Sequence, residues 1–151
     1  SRFFNPPEML GAISTFLQES DQSVPTDHGG YARVILESLA LRYASVVEAI
    51  ERVTGRSIVG IRIIGGGSQN RFLNQATADA TGREVRTGPV EATALGNVIV
   101  QAIADGCFGS VGEARVAVAR DTGGDIYEPV ESEAWAEART RYARLEREWG
   151  R

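Results

Sequence analysis

The stretch IRIIGGGSQNRFLNQATADATG, residues 61–82, decides the fold of this chain. It begins with an apolar run at 61–64, passes through three glycines at 65–67 and a polar triplet at 68–70, and continues as an amphipathic segment to Gly82. A strand, a glycine turn and a helix in this order are typical of a parallel sheet that presents free backbone N–H groups to an anionic or nucleotide ligand. The stretch therefore predicts an α/β domain with a nucleotide loop.

The glycine loop, Gly65 to Asn70, differs from the best-known nucleotide motifs. It is one residue short of G-x-G-x-x-G, with Asn70 in place of the third glycine, and it lacks the G-K-[ST] ending of a phosphate loop. The next predicted strand ends at Thr87 without the acid that holds a ribose in dinucleotide-binding folds, so a Rossmann-type dinucleotide site is disfavoured. An Asn in the first helical turn could aim its amide at a base or sugar passing over the loop. Spacing alone leaves nucleotide binding and a purely structural tight turn both open.

Composition limits the remaining possibilities. A chain of 151 residues with 42% hydrophobic content is long enough for one domain with its own core. The net charge of -4 argues against a nucleic-acid or acidic-membrane partner. No apolar run reaches the roughly 20 residues of a membrane span, and no signal-peptide pattern opens the chain. The chain has a single cysteine, Cys107, which cannot form an internal disulfide, so a reducing compartment, the cytoplasm, is expected. Cys107 itself is interpreted as a buried or half-buried hydrophobic residue.

Apolar periodicity predicts the helices and strands. The long second helix is expected to pack on a sheet, the first strand to be covered on both faces, and Gly96 to mark close backbone packing. Gly55 is expected to end the long helix, Ser132 to cap the last one, and Arg33 to pair with Glu37. The predicted helices span 8–19, 31–53, 68–81, 91–105, 111–119 and 132–149, and the predicted strands span 58–64 and 84–87.

The chain offers few candidates for catalysis. Four aspartates could supply a general acid or base, but none is predicted at a strand end beside a polar cluster. The only histidine, His28, lies in a glycine-containing loop without a partner and is interpreted as a surface or capping residue. We therefore predict no catalytic residue and no metal site in this chain. The aspartates considered are Asp79, Asp105, Asp121 and Asp125.

Several separated motifs resemble the C-terminal domain of FGGY carbohydrate kinases. Their order and spacing along the chain match that family, and the resemblance spans essentially all of it. One departure is the loop 120–125, which contains DTGGD where a more apolar passage is expected. The motifs are RVILESLA at 33–40, GGGSQN at 65–70, AD at 78–79, EATALGN at 91–97 and YEP at 127–129.

The resemblance implies an actin/hexokinase-like ATPase fold of two RNase H-like domains, with ATP, Mg²⁺ and a sugar bound in the cleft between them. Gly66, Gly67 and Asn70 match the family's adenine-nucleotide motif, and Gly65, Gln69 and the helix beginning at Glu91 would lie nearby. The family's catalytic aspartate and most sugar contacts belong to an upstream domain.

Residues 1–151 are thus expected to be the nucleotide-side domain of a sugar kinase, inactive alone and lacking the N-terminal sugar-binding and catalytic domain. The sugar substrate would be bound through that missing domain. Three other possibilities stay open: another sugar kinase of the family, acting on xylulose, ribulose or glycerol; a non-catalytic nucleotide-binding or regulatory module with the same fold; or a Rossmann-type dehydrogenase domain.

Overall fold

The computed structural model describes residues 2–149, apart from the side chains of residues 121 and 122. These described residues form six α-helices and three short strands, and every predicted helix is present with shifted ends. None of the helices among the described residues combines the length and the apolar character that crossing a membrane requires. The elements are α1 (Met9–Glu19), α2 (His28–Thr54), β1 (Gly60–Ile63), a 3₁₀ helix (Gly65–Gln69), α3 (Arg71–Thr81), β2 (Glu84–Thr87), α4 (Ala92–Ala104), α5 (Val111–Thr122), β3 (Ile126–Tyr127) and α6 (Glu133–Trp149).

Side-chain caps and glycines fix the helix ends. Asp27 caps α2 by accepting a hydrogen bond from the Gly30 amide at 2.7 Å, so His28 is the exposed first residue of this helix rather than part of a loop. Gly55 ends α2 in the left-handed conformation that glycine adopts without strain, as predicted. Ser132 accepts a hydrogen bond from the Trp135 amide at 3.3 Å, which confirms it at the start of α6.

The sheet has the order β1-β2-β3. β1 and β2 run parallel, with Ile61 opposite Val85, and β3 is antiparallel to β2, with Tyr127 opposite Val85. α3 is the crossover helix that connects these two parallel strands. Ala78 of α3 packs with Val85 and Tyr127 to form the core between helix and sheet, and Ile63 contacts the edge of this cluster. Val85, fully buried at the centre of the sheet, anchors this half of the molecule.

A second core lies between helices. Buried side chains of α2 and α3 meet there, and Trp135 of α6 covers the cluster. The expectation that α2 packs on a sheet was wrong: it packs chiefly on α3, because α3 lies between α2 and the strands. The alanines in the cluster permit this close helix contact. The buried members are Ala40, Ala44, Leu73, Ala76 and Ala80.

The first strand is shorter and less covered than predicted. It spans Gly60–Ile63 rather than 58–64, and its residues alternate between exposed and half-buried. The prediction of a strand covered on both faces was therefore wrong. A β-branched run is equally compatible with a strand that has one solvated face, because burial of that face depends on which element lies over it.

Three further expectations were not met around α4 and α5. A side chain built at Gly96 would meet no atom within 4 Å, so this glycine does not mark a close contact. This agrees with the exposure of α4 as a whole, which has no buried residue despite its apolar sequence and packs mainly on α5. Cys107 is exposed, not buried, because it follows the end of α4 at a left-handed Gly106. α5 extends to Thr122, through residues that were predicted as loop.

A polar cluster joins the end of α2 to the first two strands. The Arg83 guanidinium donates to both oxygens of the Glu51 carboxylate, at 2.7 and 2.8 Å, and to the Ile58 carbonyl at 2.7 Å. The Ile58 amide in turn donates to Glu51 at 2.7 Å. These hydrogen bonds lower the pKa of the Glu51 carboxyl; the bond from the Ile58 amide has the largest effect, and the bond from Arg83 the next largest. Glu51 thus holds the approach to β1 and the α3–β2 turn together.

We expect this cluster to make stability depend on acid. Because the folded-state pKa of Glu51 is lowered, its contribution is fully present above the ordinary glutamate pKa of about 4.3 and is lost as the pH falls through the folded value. In thermal unfolding followed by circular dichroism, Glu51→Gln should lower Tm at pH 7 and reduce the further loss of Tm on acidification below pH 5. Glu137→Gln, at an exposed site without an ion pair among the described residues, should keep the parent profile. Parallel pH profiles for Glu51→Gln and the parent would refute the proposed role.

Candidate nucleotide-binding site

The glycine loop lies at the carboxyl ends of the two parallel strands. The Gly88 amide donates to the Ile63 carbonyl at 2.8 Å, and the Gly65 amide donates to the Pro89 carbonyl at 3.0 Å. These bonds extend the parallel ladder past both strands and hold the two following loops side by side. The carboxyl edge of a parallel sheet is where open α/β folds bind their ligands.

The loop is a 3₁₀ helix rather than the predicted start of one continuous α-helix. Gly65 has φ of 75°, a conformation that favours glycine, and the Ser68 hydroxyl donates to the Gly65 carbonyl at 2.7 Å. Gly66 and Gly67 are exposed, and a side chain built at Gly66 would meet nothing within 4 Å. Among the described residues, the Gly66 amide has no hydrogen-bond partner. The loop thus offers an accessible backbone face that only glycine leaves open.

Asn70 joins the loop to α3. Its Oδ1 accepts a hydrogen bond from the Leu73 amide at 3.0 Å, so the residue is the N-cap of α3 rather than part of its first turn. The Asn70 Nδ2 group has no partner among the described residues, which leaves it as a donor for a base nitrogen or a sugar oxygen. Gln69, beside it, is exposed. All five predicted positions, Gly65, Gly66, Gly67, Gln69 and Asn70, therefore lie on one short segment at the carboxyl edge of the sheet.

Two aspartates considered for catalysis have structural partners. Asp79 accepts hydrogen bonds from the Gln75 side chain at 2.8 Å and from the Val130 amide at 2.9 Å, so it tethers the chain between β3 and α6. Asp125 lies beside Thr87, at the same edge of the sheet as the glycine loop: the Thr87 amide donates to the Asp125 carbonyl at 3.0 Å, and the Asp125 amide donates to the Thr87 hydroxyl at 2.8 Å. Asp125 thus lies beside the carboxyl end of β2, although the sequence placed it only in a loop with glycines.

Asp125 reaches this edge because β3 runs antiparallel to β2, a pairing that the sequence did not reveal. Gly124 permits it, because any side chain there would collide with the Thr87 carbonyl. Asp105 forms the C-cap of α4, and the side chain of Asp121 lies outside the described residues.

No group of three or more histidine, cysteine or acidic side chains among the described residues is arranged to hold a metal ion. The backbone amides and the Asn70 amide suit the nucleotide itself, because they are neutral donors that can approach phosphate, sugar or base.

A residue without a predicted role lies directly behind the loop. Asn74 is fully buried, and its Nδ2 donates to the Ser68 carbonyl at 2.9 Å. The sequence marks Asn74 only weakly. It lies on the same buried face of α3 as Thr77 and Thr81, where apolar residues would be expected. Only the buried position and the contact with the loop distinguish it.

Comparison with known proteins assigns this fold to a family. The profile described as the FGGY family of carbohydrate kinases, C-terminal domain, matches residues 1–104. Since this is more than half of the chain, the protein belongs to the FGGY family of carbohydrate kinases, and its fold is the actin/hexokinase-like ATPase fold of the C-terminal domain. The predicted family and fold class are confirmed.

Individual relatives carry a more specific name. The chain is 42% identical over 133 residues to a rhamnulokinase from Bacteroides thetaiotaomicron, covering 88% of this chain and 27% of the relative. It is 39% identical over 135 residues to the rhamnulokinase of Enterococcus faecalis, with 87% and 27% covered, and 41% identical over 117 residues to that of Bacillus subtilis, with 78% and 24% covered. The chain thus spans about a quarter of the length of these relatives.

Proposed function

We propose that residues 1–151 form the nucleotide-side part of an ATP-dependent sugar kinase that, as a complete cytoplasmic enzyme, phosphorylates L-rhamnulose. The loop of Gly65, Gly66, Gly67, Gln69 and Asn70 binds ATP or ADP. An N-terminal domain outside this chain supplies the residues that bind the sugar and the catalytic base. Mg²⁺ accompanies the nucleotide. Neither nucleic acid nor a membrane is a partner.

The accessible glycine backbone at the carboxyl edge of the sheet carries this proposal. The Gly66 amide and the Asn70 Nδ2 group have no hydrogen-bond partner within residues 2–149, and a side chain built at Gly66 would meet nothing within 4 Å. Phosphoryl transfer by kinases depends on positioning and on neutralising phosphate charge rather than on covalent help from the protein, which suits a site made of backbone and amide donors. The substrate proposed is that named for the relatives, because the resemblance to rhamnulokinases covers most of the chain.

This chain has no candidate for the base that deprotonates a sugar hydroxyl, so we expect it to transfer no phosphate alone. A coupled assay for ADP release should find no sugar-dependent signal with the 151-residue chain. The complete protein that contains it should release ADP with L-rhamnulose and Mg·ATP, and much more slowly with xylulose, ribulose or glycerol.

Each contrary outcome is informative. A faster reaction with one of the other sugars would reassign the substrate within the family. Absence of transfer to any sugar, together with retained ADP binding, would identify a non-catalytic nucleotide module. Tighter binding of NAD than of ADP would overturn the kinase proposal.

A further inference from the structure

We infer that Asn74 is a positioning residue that fixes the nucleotide loop from behind through the Ser68 carbonyl. The inference rests on the proposed function, because the loop matters only if it holds a nucleotide. Asn74 is fully buried on α3 and has no path to a ligand of its own, so any effect on the site must pass through the loop.

The geometry gives Asn74 a specific hold on the loop. Its Nδ2 donates to the Ser68 carbonyl at 2.9 Å, across six residues, and its backbone amide donates to the Asn70 carbonyl at 3.0 Å. Ser68, itself buried, passes the restraint on through its hydroxyl bond to the Gly65 carbonyl. The Asn74 side chain thus connects α3 directly to Ser68 and, through the Ser68 hydroxyl, indirectly to the start of the 3₁₀ helix at Gly65.

The unpaired side-chain oxygen of Asn74 indicates that this residue does more than stabilise the fold. Asn74 Oδ1 is buried and has no hydrogen-bond partner among the described residues. A buried acceptor left unpaired is unfavourable for folding, and an apolar side chain would avoid that cost. An asparagine is therefore a poor choice for stability alone, and the feature that an apolar residue could not supply is the Nδ2 donor toward the loop.

Thr77 provides a matched control on the same helix. It is also fully buried, but its hydroxyl donates to the Leu73 carbonyl at 2.7 Å, inside α3, and does not reach the loop. Asn74→Ala and Thr77→Ala each remove one buried polar group from one helix face. Only the first should release the loop.

The first measurement needs no nucleotide. In hydrogen exchange of the 151-residue chain followed by mass spectrometry or NMR, Asn74→Ala should speed exchange of the amides at 67–70 by about tenfold, the loss of roughly one hydrogen bond. Amides in the middle of α2 should be unchanged. Thr77→Ala should leave exchange at 67–70 as in the parent. Asn74→Leu, an apolar side chain of similar size that also lacks the donor, should match Asn74→Ala and serves if the alanine variant does not fold.

The second measurement uses the complete kinase. Asn74→Ala should raise KM for ATP about fivefold to tenfold with kcat at saturating ATP and sugar within about twofold, whereas Thr77→Ala should change neither. Equal exchange at 67–70 in the Asn74 and Thr77 variants, or an unchanged KM for ATP in an active Asn74→Ala enzyme, would overturn the inference. If the parent protein uses no ATP, the proposed function fails instead, and the exchange result still decides whether Asn74 orders the loop.

Discussion

Replacing Val85 with alanine should cost about 2–3 kcal/mol of the free energy of unfolding. Val85 is fully buried in the central strand and contacts α3 through Ala78 and β3 through Tyr127. Shortening it opens a cavity where three elements meet, and the neighbouring backbone is held by hydrogen bonds on both sides of the strand. A domain of this size is stable by roughly 5–15 kcal/mol, so the loss is a large fraction of the total.

Chemical denaturation of the 151-residue chain measures this effect. The same substitution at Val59, whose side chain is 91% exposed just before β1, is the control and should change the free energy by less than about 0.5 kcal/mol. Equal losses at the two valines would show that the sheet does not have Val85 at its core.

Replacing Gly66 with valine should raise KM for ATP in the complete enzyme by at least about tenfold while leaving the fold intact. Gly66 is not in the left-handed region, and a side chain there meets no protein atom within 4 Å. A valine is therefore tolerated by the protein, and its branched side chain covers the backbone face that we propose for the nucleotide. We therefore expect Gly66→Val to weaken nucleotide binding and to leave the stability of the fold unchanged.

Gly112→Val is the matched control. Gly112 lies in α5, and a side chain built there makes only an ordinary contact, 3.6 Å from the Ser110 hydroxyl. Both variants should unfold close to the parent temperature, and only Gly66→Val should bind ATP and ADP weakly. Unchanged nucleotide affinity in Gly66→Val would remove the loop from the binding site.

The sequence predicted the elements well because their determinants are local. Every predicted helix and both predicted strands exist, and Gly55 and Ser132 mark helix ends as expected. The i,i+4 pair of Arg33 and Glu37 forms at 2.8 Å. Caps, glycines and apolar periodicity act over a few residues, so they can be identified without knowing what lies across the core.

The errors occurred where packing partners decide the outcome. Cys107 and Gly96 were interpreted as buried or closely packed, yet both face open space, because nothing among the described residues packs over that part of α4 and its end. The β-branched run of β1 does not say whether a second layer covers its outer face. Long-range pairing also brought Asp125 to the edge of the sheet, through an antiparallel strand of two residues, Ile126–Tyr127, too short to predict.

By itself, the sequence of residues 61–82 determined a strand, a glycine loop and a helix, and separated motifs along the whole chain indicated the family. The local elements depend on backbone preferences, and the family on residue identity and the spacing of the motifs. Only the tertiary structure determined that the loop is a 3₁₀ helix, that Asn70 caps α3, and that Asn74 holds Ser68 from behind. Those properties follow from hydrogen bonds whose partners are chosen by packing of α3 on the sheet and on α2, which no local pattern encodes.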